Sequence, residues 1–474
     1  MVGILGANSV SGGYEVDNSL RFDKGSSAHL SRTLADSNEK IWTYSTWIKN
    51  CIGAVEPVLL RISPNDDTID NIVISTSGNL QYIVRRAPNN HAYLNTNQKL
   101  RDPSAWYHIV VAVDTTQSTN TNRIKFYING NQVTSFANAI YPDQNFAGAI
   151  NGNSAHVISE MREDGGDGTR YSDMYLAETH FIDGVAAQTD FGEFDDNGVW
   201  IPKAYTGSYG TNGFYLEYKE TGTDADASGM GADTSGEDNH FTSAGLAATD
   251  VTTDTPTNNF CTMNPLTQSE VGNSPTFAEG NLKITMTNFD EESVMATMGV
   301  TKGKWYWEVK GGWTTSNWGF GIEKSSSSNT GFLVGYTDTS YSFSQAGYKQ
   351  GAGGSASQID SGLGNTDIIG YALDLDNGHF NFSQNGVWYN GSATESTTFN
   401  TSTHDFTSLD FGDEFAMPTI AGFGNGAITT EINFGNPSFA ISSSNADGRG
   451  YGNFEYAPPS GYYSLCTKNL AEFG

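Results

Sequence analysis

Several features that mark common protein classes are scarce in this chain. Among its 474 residues there are three cysteines, Cys51, Cys261 and Cys466, too few for a disulfide framework. Each is expected to be a small buried apolar side chain. No apolar run approaches the ~18 residues that a transmembrane helix requires. The start, MVGILGANSVSGG, lacks the positive and apolar parts of a signal peptide. We therefore expect a chain that is made in a cytoplasm and remains soluble.

One cysteine pairing stays open. Cys261 begins CTMNPL and Cys466 begins CTKNLA, at opposite ends of the C-terminal part of the chain. If the terminal strands of that part lie side by side, the two sulfur atoms are close. A disulfide between them would require an oxidising compartment, so we do not expect one.

Basic residues are also scarce. The chain has 24 Lys and Arg against 53 Asp and Glu, which gives a net charge of −29. A surface this negative repels phosphate backbones and anionic membranes, so nucleic acid and lipid are poor partners. The excess is expected mainly to solvate the surface, with divalent cations or a basic protein surface as the alternative partners.

The composition indicates an all-β protein. Glycine is abundant, with 54 residues, while charged residues make up only 16% of the chain. Asn129-Gly130 and Asn385-Gly386 each stand between apolar or aromatic runs, IKFY/NQV and HFNFSQ/VWY. Asn-Gly in this setting predicts a two-residue hairpin turn, because both central residues need a positive φ. We predict two antiparallel β-sandwich, jelly-roll-like domains joined by an ordered, aromatic-rich connecting segment.

The first predicted domain covers residues 1–190. Its strand patterns are SLRF, TYSTWIK, NIVIST, NLQYIV, WYHIVVAVD, IKFYINGNQV and MYLAETHFIDG. WYHIVVAVD is apolar on both faces at its centre, which predicts a strand covered on both sides. The ordered set resembles the laminin-G/concanavalin-like family. That resemblance implies a β-sandwich whose edge loops bind sugars or calcium in some members.

No cofactor is expected, although calcium stays possible. The loop EDGGDGTRYSD offers Glu163, Asp164, Asp167 and Asp173 as oxygen ligands, without EF-hand spacing. A plain solvated turn is the alternative interpretation of this loop.

The resemblance also raises a glycosidase alternative, because its fold hosts enzymes that use two opposed carboxylates. Their usual E-x-D-x-x-E pattern is absent from the sequence. Glu193, Asp195 and Asp196 in GEFDDNG come nearest but lack the second glutamate. The eight histidines show no zinc spacing, and no G-x-S-x-G is present. We therefore predict that the protein is not an enzyme.

Residues 191–258 are predicted to form the connecting segment. Trp200, Tyr205, Tyr209, Phe214 and Tyr215 give it too many aromatic side chains for a disordered chain. The progression YLAETHFIDG, DFGEFDDNGVWIPK, YGTNGFYLEY, DTSGEDNHF and DTPTNNFCTMNPL resembles a block of bacteriophage structural and tail-fibre-like proteins, particularly of phages of marine bacteria. In that family the block joins a laminin-G-like module to a downstream β domain.

The second predicted domain covers residues 259–474. GKWYWEV, WGFGIE, IIGYALDLDNGHFNFSQNGVWYNG and EINFGNPSF resemble the successive motifs of the SPRY domain, a β-sandwich that binds ligands through loops at one end. Most of its tryptophans are expected in the core. The candidate ligand-binding residues are Trp313 and, at a hairpin end, Trp388 and Tyr389. All three are expected near exposed loops.

These observations predict a non-catalytic bacteriophage virion protein, a tail fibre or related appendage adhesin that attaches to host surface glycan or protein. One alternative is a capsid decoration or head-fibre protein that binds other virion proteins. Another is a concanavalin-like glycan depolymerase. The expected partners include other virion proteins, with no nucleic acid and no membrane insertion. A homotrimer or another closed symmetric assembly is expected, assembled in the host cytoplasm and located in the virion.

Overall fold

The computed structural model describes residues 13–51, 56–65, 67–162, 169–185, 187–268, 275–311, 317–327, 334–335, 337, 340–391 and 395–474. Within these ranges the chain divides into two compact units, with the boundary between Asn258 and Asn259. Strands are the predominant regular elements of both units, so the predicted all-β class is confirmed.

In its described residues, the first unit, which ends at Asn258, contains strands of 2 to 11 residues and three 3₁₀ turns, one of which lies in the connecting segment. Its strands are β1 Ser19–Phe22, β2 His29–Thr33, β3 Ile41–Asn50, β4 Val58–Asn65, β5 Thr68–Ile74, β6 Asn79–Arg86, β7 Asn89–Lys99, β8 Trp106–Asp114, β9 Ile124–Ile128, β10 Asn131–Gln132, β11 Phe136–Ile140, β12 Ala155–Ile158, β13 Glu160–Arg162, β14 Thr169–Tyr171, β15 Met174–Ile182, β16 Gly192–Phe194, β17 Trp200–Pro202, β18 Phe214–Leu216, β19 Thr242–Ala244 and β20 Val251–Thr252.

Most of these strands form two 8-stranded antiparallel sheets in the described part of the unit. The front sheet has the order β10-β9-β8-β3-β15-β1-β20, with β18 paired to β15. The back sheet has the order β11-β7-β6-β5-β4-β12-β2-β19. The main core lies between them. Alternation in β3 sends Trp42, Tyr44 and Ile48 into that core, while Trp47 lies on the opposite face of the front sheet.

The connecting segment extends both sheets of this unit. β18 pairs with β15, β20 pairs with β1, and β19 pairs with β2. Phe214, Leu216 and Phe241 enter the main core. The segment is therefore ordered because its strands complete ladders and its aromatic side chains are buried.

The second unit, Asn259–Gly474, contains further strands and one short helix. They are β21 Thr276–Ala278, β22 Lys283–Met295, β23 Lys304–Gly311, β24 Asn317–Lys324, β25 Ser340–Ser344, β26 Tyr348–Gly351, β27 Ser357–Gln358, β28 Ile368–Asp374, β29 His379–Gln384, β30 Val387–Trp388, β31 Ala416–Asn433, β32 Tyr463–Ser464 and α1 Thr467–Phe473.

The long strand β31 organises this unit. One of its edges pairs with β24 through its first half and with β23 near its end, while its other edge pairs with β22. A strand shared in this way turns the corner between two packed layers. Trp305 and Trp307 are fully buried, as predicted from their alternation. Glu308, also buried, accepts hydrogen bonds from the backbone N–H groups of Glu455 and Tyr456 and so ties the C-terminal stretch to β23.

All three cysteines are buried, as expected for small apolar side chains. An isolated bridge pairs Phe260 with Cys466, which places the neighbouring Cys261 near the C-terminal stretch without a disulfide. Within the described residues, no helix is both long and apolar enough to cross a membrane.

The Asn129-Gly130 turn provides a test of the packing of the connecting segment. A Cβ added at Gly130, whose φ is +73°, would lie 2.2 Å from Cε3 of Trp200. Gly130→Ala should therefore lower the free energy of unfolding by about 1–2 kcal/mol for the left-handed backbone and by about 1–3 kcal/mol more for the clash. Gly198→Ala is the matched control, because its φ is +77° and a Cβ added there would meet no atom within 4 Å. Equal losses in thermal or denaturant unfolding would contradict the packing of Trp200 on this turn.

Candidate functional site

The outer face of the front sheet, opposite the main core, is covered by aromatic side chains. Trp200 and Phe191 of the connecting segment pack there against residues of β3, β8 and β15, and Tyr14 approaches from the N-terminal stretch. We call this set the outer aromatic layer; it consists of Tyr14, Val16, Trp47, Cys51, Trp106, Val110, Tyr127, Tyr175, Ala177, Ile182, Phe191, Trp200, Tyr205, Tyr209 and Tyr215. The prediction that β8 is covered on both faces is thus confirmed, since Val110 lies in the layer and Ile109 in the main core.

A neutral histidine lies beneath this layer. The Trp200 indole N–H donates to Nδ1 of His108 at 3.1 Å, so the ring proton is on Nε2, which lies 2.8 Å from the Ser45 hydroxyl. Burial lowers the pKa of His108 to about 3. The ring therefore acts as a fixed polar link between the connecting segment and β3.

Buried ion pairs hold the end of the connecting segment on the same sheet. Lys49 Nζ lies 2.8 Å from Oδ2 of Asp254, whose Oδ1 accepts the Trp106 indole N–H at 3.1 Å. Arg21 pairs with Asp250 at 3.2 Å. Removal of one partner would leave an uncompensated charge in a buried place, which is strongly unfavourable.

Glu178 lies at a β-bulge in β15, with a φ of +49° that is uncommon for a residue other than glycine. Its two carboxylate oxygens accept the Tyr215 hydroxyl at 2.6 Å and the Tyr14 hydroxyl at 2.9 Å. The ring of His180 stacks on Tyr215 with centroids 4.3 Å apart. Through these contacts the outer aromatic layer covers the Glu178 carboxylate. The outer face of the front sheet is therefore an internal interface of the unit.

Polar side chains with partial exposure gather instead at one end of the second unit. The Asn385-Gly386 turn between β29 and β30 has φ values of +50° and +78°, which the predicted hairpin requires. Next to it lies the loop that leads into β28. We call the side chains of Asp360, Asp367, Gln384, Asn385 and Tyr389 the hairpin-end network.

The network is held by short hydrogen bonds. Asp367 accepts from the Gln384 amide at 2.6 Å and from the Asn385 amide at 2.7 Å. The Tyr389 hydroxyl lies 2.7 Å from Oε1 of Gln384 and 3.2 Å from Oδ2 of Asp360. Burial, followed by the charge of Asp360, raises the pKa of Tyr389, so this hydroxyl stays a donor. The two carboxylates and the two amides are therefore fixed on a rigid strand end.

The predicted exposure of the hairpin aromatic residues is wrong. Trp388 is 5% exposed and packs against Phe399 and Tyr306, while Tyr389 is 1% exposed and packs against Phe343. The chain after the hairpin covers them, because Ser396 exchanges two backbone hydrogen bonds with Trp388. Tyr389 takes part in the network only through its hydroxyl, and Trp313 lies outside the described residues.

The predicted calcium loop is described only at its end. Glu163, Asp164 and Asp167 lie outside the described residues. Asp173 is 8% exposed and accepts from Lys24, through Nζ at 2.6 Å and the backbone N–H at 2.8 Å. In the described ranges, no group of three or more His, Cys, Asp or Glu side chains is arranged to hold a metal ion.

The acidic residues nearest to the glycosidase pattern do not face a common space. Glu193 is exposed on β16 and pairs with Lys203 at 3.5 Å. Asp195 accepts the backbone N–H groups of Asn197 and Val199, which shapes a turn, and Asp196 is exposed.

Sequence reasoning missed most of the hairpin-end network. Asp360, Asp367 and Gln384 are separated along the chain and show no motif spacing. The one available signal was the Asn385-Gly386 turn, which predicts the hairpin but not the loop beside it. Chemically, half-exposed carboxylate oxygens and amide groups can form paired hydrogen bonds to hydroxyl or amide groups of a ligand.

The family comparison gives a match in the first unit. Residues 22–163 match the model of Laminin_G_3, the Concanavalin A-like lectin/glucanases superfamily. Together with the two packed antiparallel sheets, the match defines a concanavalin-like β-sandwich and supports a role in binding. No curated protein matches the chain.

Solved structures that resemble this chain include SPRY domains and a pentraxin. The SPRY domain of human HERC1 is 15% identical, with 36% of this chain and 96% of that chain covered and a TM-score of 0.26. The TRIM65 PSpry domain is 13% identical, with 36% and 89% covered and a TM-score of 0.26. The heptameric SAP-like pentraxin from Limulus polyphemus is 16% identical, with 37% and 80% covered and a TM-score of 0.27.

Acid should weaken the first unit through its buried neutral histidines. The pKa values of His108 and His156 are about 3 and about 4, below the ordinary value of 6.5. The contribution of these two histidines to the free energy of unfolding is therefore fully present above about pH 6.5 and decreases at lower pH. The reason is that the unfolded chain binds protons that the folded chain does not. The loss is about 2 kcal/mol per histidine at about pH 5.

Calorimetric unfolding between about pH 5 and about pH 8 measures this loss. His108→Gln keeps an acceptor and a donor without a titrating group, so it should flatten the acid dependence by about half of the predicted total. An unchanged acid dependence in this variant would contradict the role given to His108.

Asp367 should be the residue on which the hairpin-end network depends. Asp367→Asn replaces one accepting oxygen by an NH2 group that faces a donor, which should lower the free energy of unfolding by about 1–3 kcal/mol. Asp413→Asn, the same substitution at an exposed aspartate outside the network, should change it by less than about 0.5 kcal/mol. Urea unfolding of both variants compares them, and equal stabilities would count against the network.

Proposed function

We propose that this protein is a non-catalytic virion protein of a bacteriophage, a tail-fibre or appendage adhesin that binds a host surface glycan or protein. The observation that carries the proposal is the hairpin-end network. Its carboxylate and amide groups are half-exposed but fixed by mutual hydrogen bonds on a rigid sandwich end. Binding residues are commonly found on such scaffolded loops.

Surface glycan is the ligand class that this chemistry favours. Adjacent sugar hydroxyls both donate and accept, which suits a carboxylate next to an amide. Asn385 is the exposed member of the network, and Asp360, which is partly buried, accepts the Tyr389 hydroxyl at 3.2 Å. Because a single site of this kind is weak, several copies on one particle would supply the avidity.

The phage origin rests on the sequence block YLAETHFIDG through DTPTNNFCTMNPL, which resembles phage structural proteins. In the structure, the strands of this block extend both sheets and its aromatic side chains cover the front sheet. It is therefore an integral part of a rigid first unit. Such a unit suits an appendage that has to withstand exposure outside a cell.

Adsorption of the labelled full-length protein to a panel of marine bacterial cells tests the proposal. Wild type should bind a subset of strains, and Asp360→Asn should bind at least about tenfold more weakly. Asp413→Asn, the same substitution at an exposed aspartate outside the network, should bind as wild type does. Periodate treatment of the cells should abolish binding if the ligand is a glycan, and protease treatment should do so if it is a protein.

Other outcomes would replace the proposal. Release of reducing ends from purified host polysaccharide would identify a depolymerase. Antibody labelling of the capsid face of the particle, without binding to cells, would identify a capsid decoration or head-fibre protein. Unfolding curves of each variant separate a binding defect from a loss of fold.

A further inference from the structure

The back sheet of the first unit ends in an unprotected strand. β11, Phe136–Ile140, pairs with β7 on one edge, and no described strand pairs with its other edge. Residues 137–140 are all exposed, and Ile140 is 46% exposed. A free strand edge presents unpaired N–H and C=O groups that can pair with another chain.

The strands at the other ends of the main sheets are short, which protects those edges. Among the described strands, β10, β20, β27 and β30 have two residues each, and β19 has three. Short end strands are a common protection against edge pairing. β11 has five residues. A bulge follows Phe136, and Asn138, Ala139 and Ile140 then pair regularly with β7.

β11 also lacks the charges that usually protect an edge. No Asp, Glu, Lys, Arg or His occurs from Phe126 to Pro142, although the chain as a whole has a net charge of −29. Two copies of so acidic a protein repel each other at most orientations. The β11 edge is a place where two copies can meet without facing like charges.

We propose that β11 pairs with β11 of a second copy of this chain, antiparallel and about a two-fold axis. The pairing joins the two back sheets into one continuous sheet and satisfies the free backbone groups of both edges. It also covers Ile140, which is exposed in the single chain. The neutral composition makes the contact self-complementary, as an isologous interface has to be. Such a contact is satisfied by two copies and gives a dimer, in contrast to the trimer expected from the sequence.

A matched pair of alanine substitutions tests the contact. Ala139→Lys places two like charges close to the proposed axis, whereas Ala244→Lys makes the same change in β19, the end strand at the opposite side of the same sheet. Both alanines are exposed. Light scattering after size exclusion, at about 1 to 100 µM protein, should give a dimer for wild type and Ala244→Lys and a monomer for Ala139→Lys.

Single cysteines provide a second test that does not depend on the lysine variant. The native cysteines are buried, so they leave a low background for mild oxidation. Asn138→Cys or Ala139→Cys should give a disulfide-linked dimer, while Ala244→Cys should not. A monomeric or trimeric wild type, a dimer that survives Ala139→Lys, or cross-linking at position 244 as strong as at 138 and 139 would overturn the proposal.

Discussion

The first unit depends on one constraint: its front sheet is apolar on both faces. In β8, Ile109 and Val111 face the main core while Val110 faces away from it. Apolar surface left uncovered on the second face would cost about 25 cal/mol per Å², against a total stability of about 5–15 kcal/mol for a domain. The connecting segment meets this constraint, because its aromatic side chains complete the outer aromatic layer and its strands extend both sheets.

Covering the front sheet turns its outer face into an internal interface of the first unit. The half-exposed polar groups of the hairpin-end network belong to the second unit, where they lie at a strand end and in the loop beside it. In the second unit, the tight Asn385-Gly386 turn brings Asn385 beside Asp367, at the entrance to β28. The same packing that buries Tyr389 leaves its hydroxyl to orient Asp360 and Gln384. One side chain therefore both fills the core and fixes polar groups near the surface.

The sequence predicted those features that depend on local pattern. Alternation and Asn-Gly turns gave the all-β class, both hairpins and the double coverage of β8. Features that depend on contacts distant in sequence were not predicted. Trp388 was expected near an exposed hairpin end, but Ser396 pairs with its backbone and the following chain buries it. Strand periodicity tells which residues share a face, but not which loop folds over that face. For the same reason Asp360 and Asp367 were missed, and so was helix α1.

The acidic surface of the chain limits which molecules gain from charge attraction to it. Arg21, Lys49 and Lys304 are paired with carboxylates inside the fold or at its margin, so they offset buried negative charge rather than the acidic surface. An approaching molecule therefore meets a predominantly negative surface and gains little from charge attraction unless it is cationic. Association has to rely on directional hydrogen bonds and apolar contact. The hairpin-end network offers amides and carboxylates for the first kind of contact, and the uncharged β11 edge offers both kinds. These are the two regions that we propose as binding surfaces, the network for a host surface glycan or protein and the edge for a second copy of the chain.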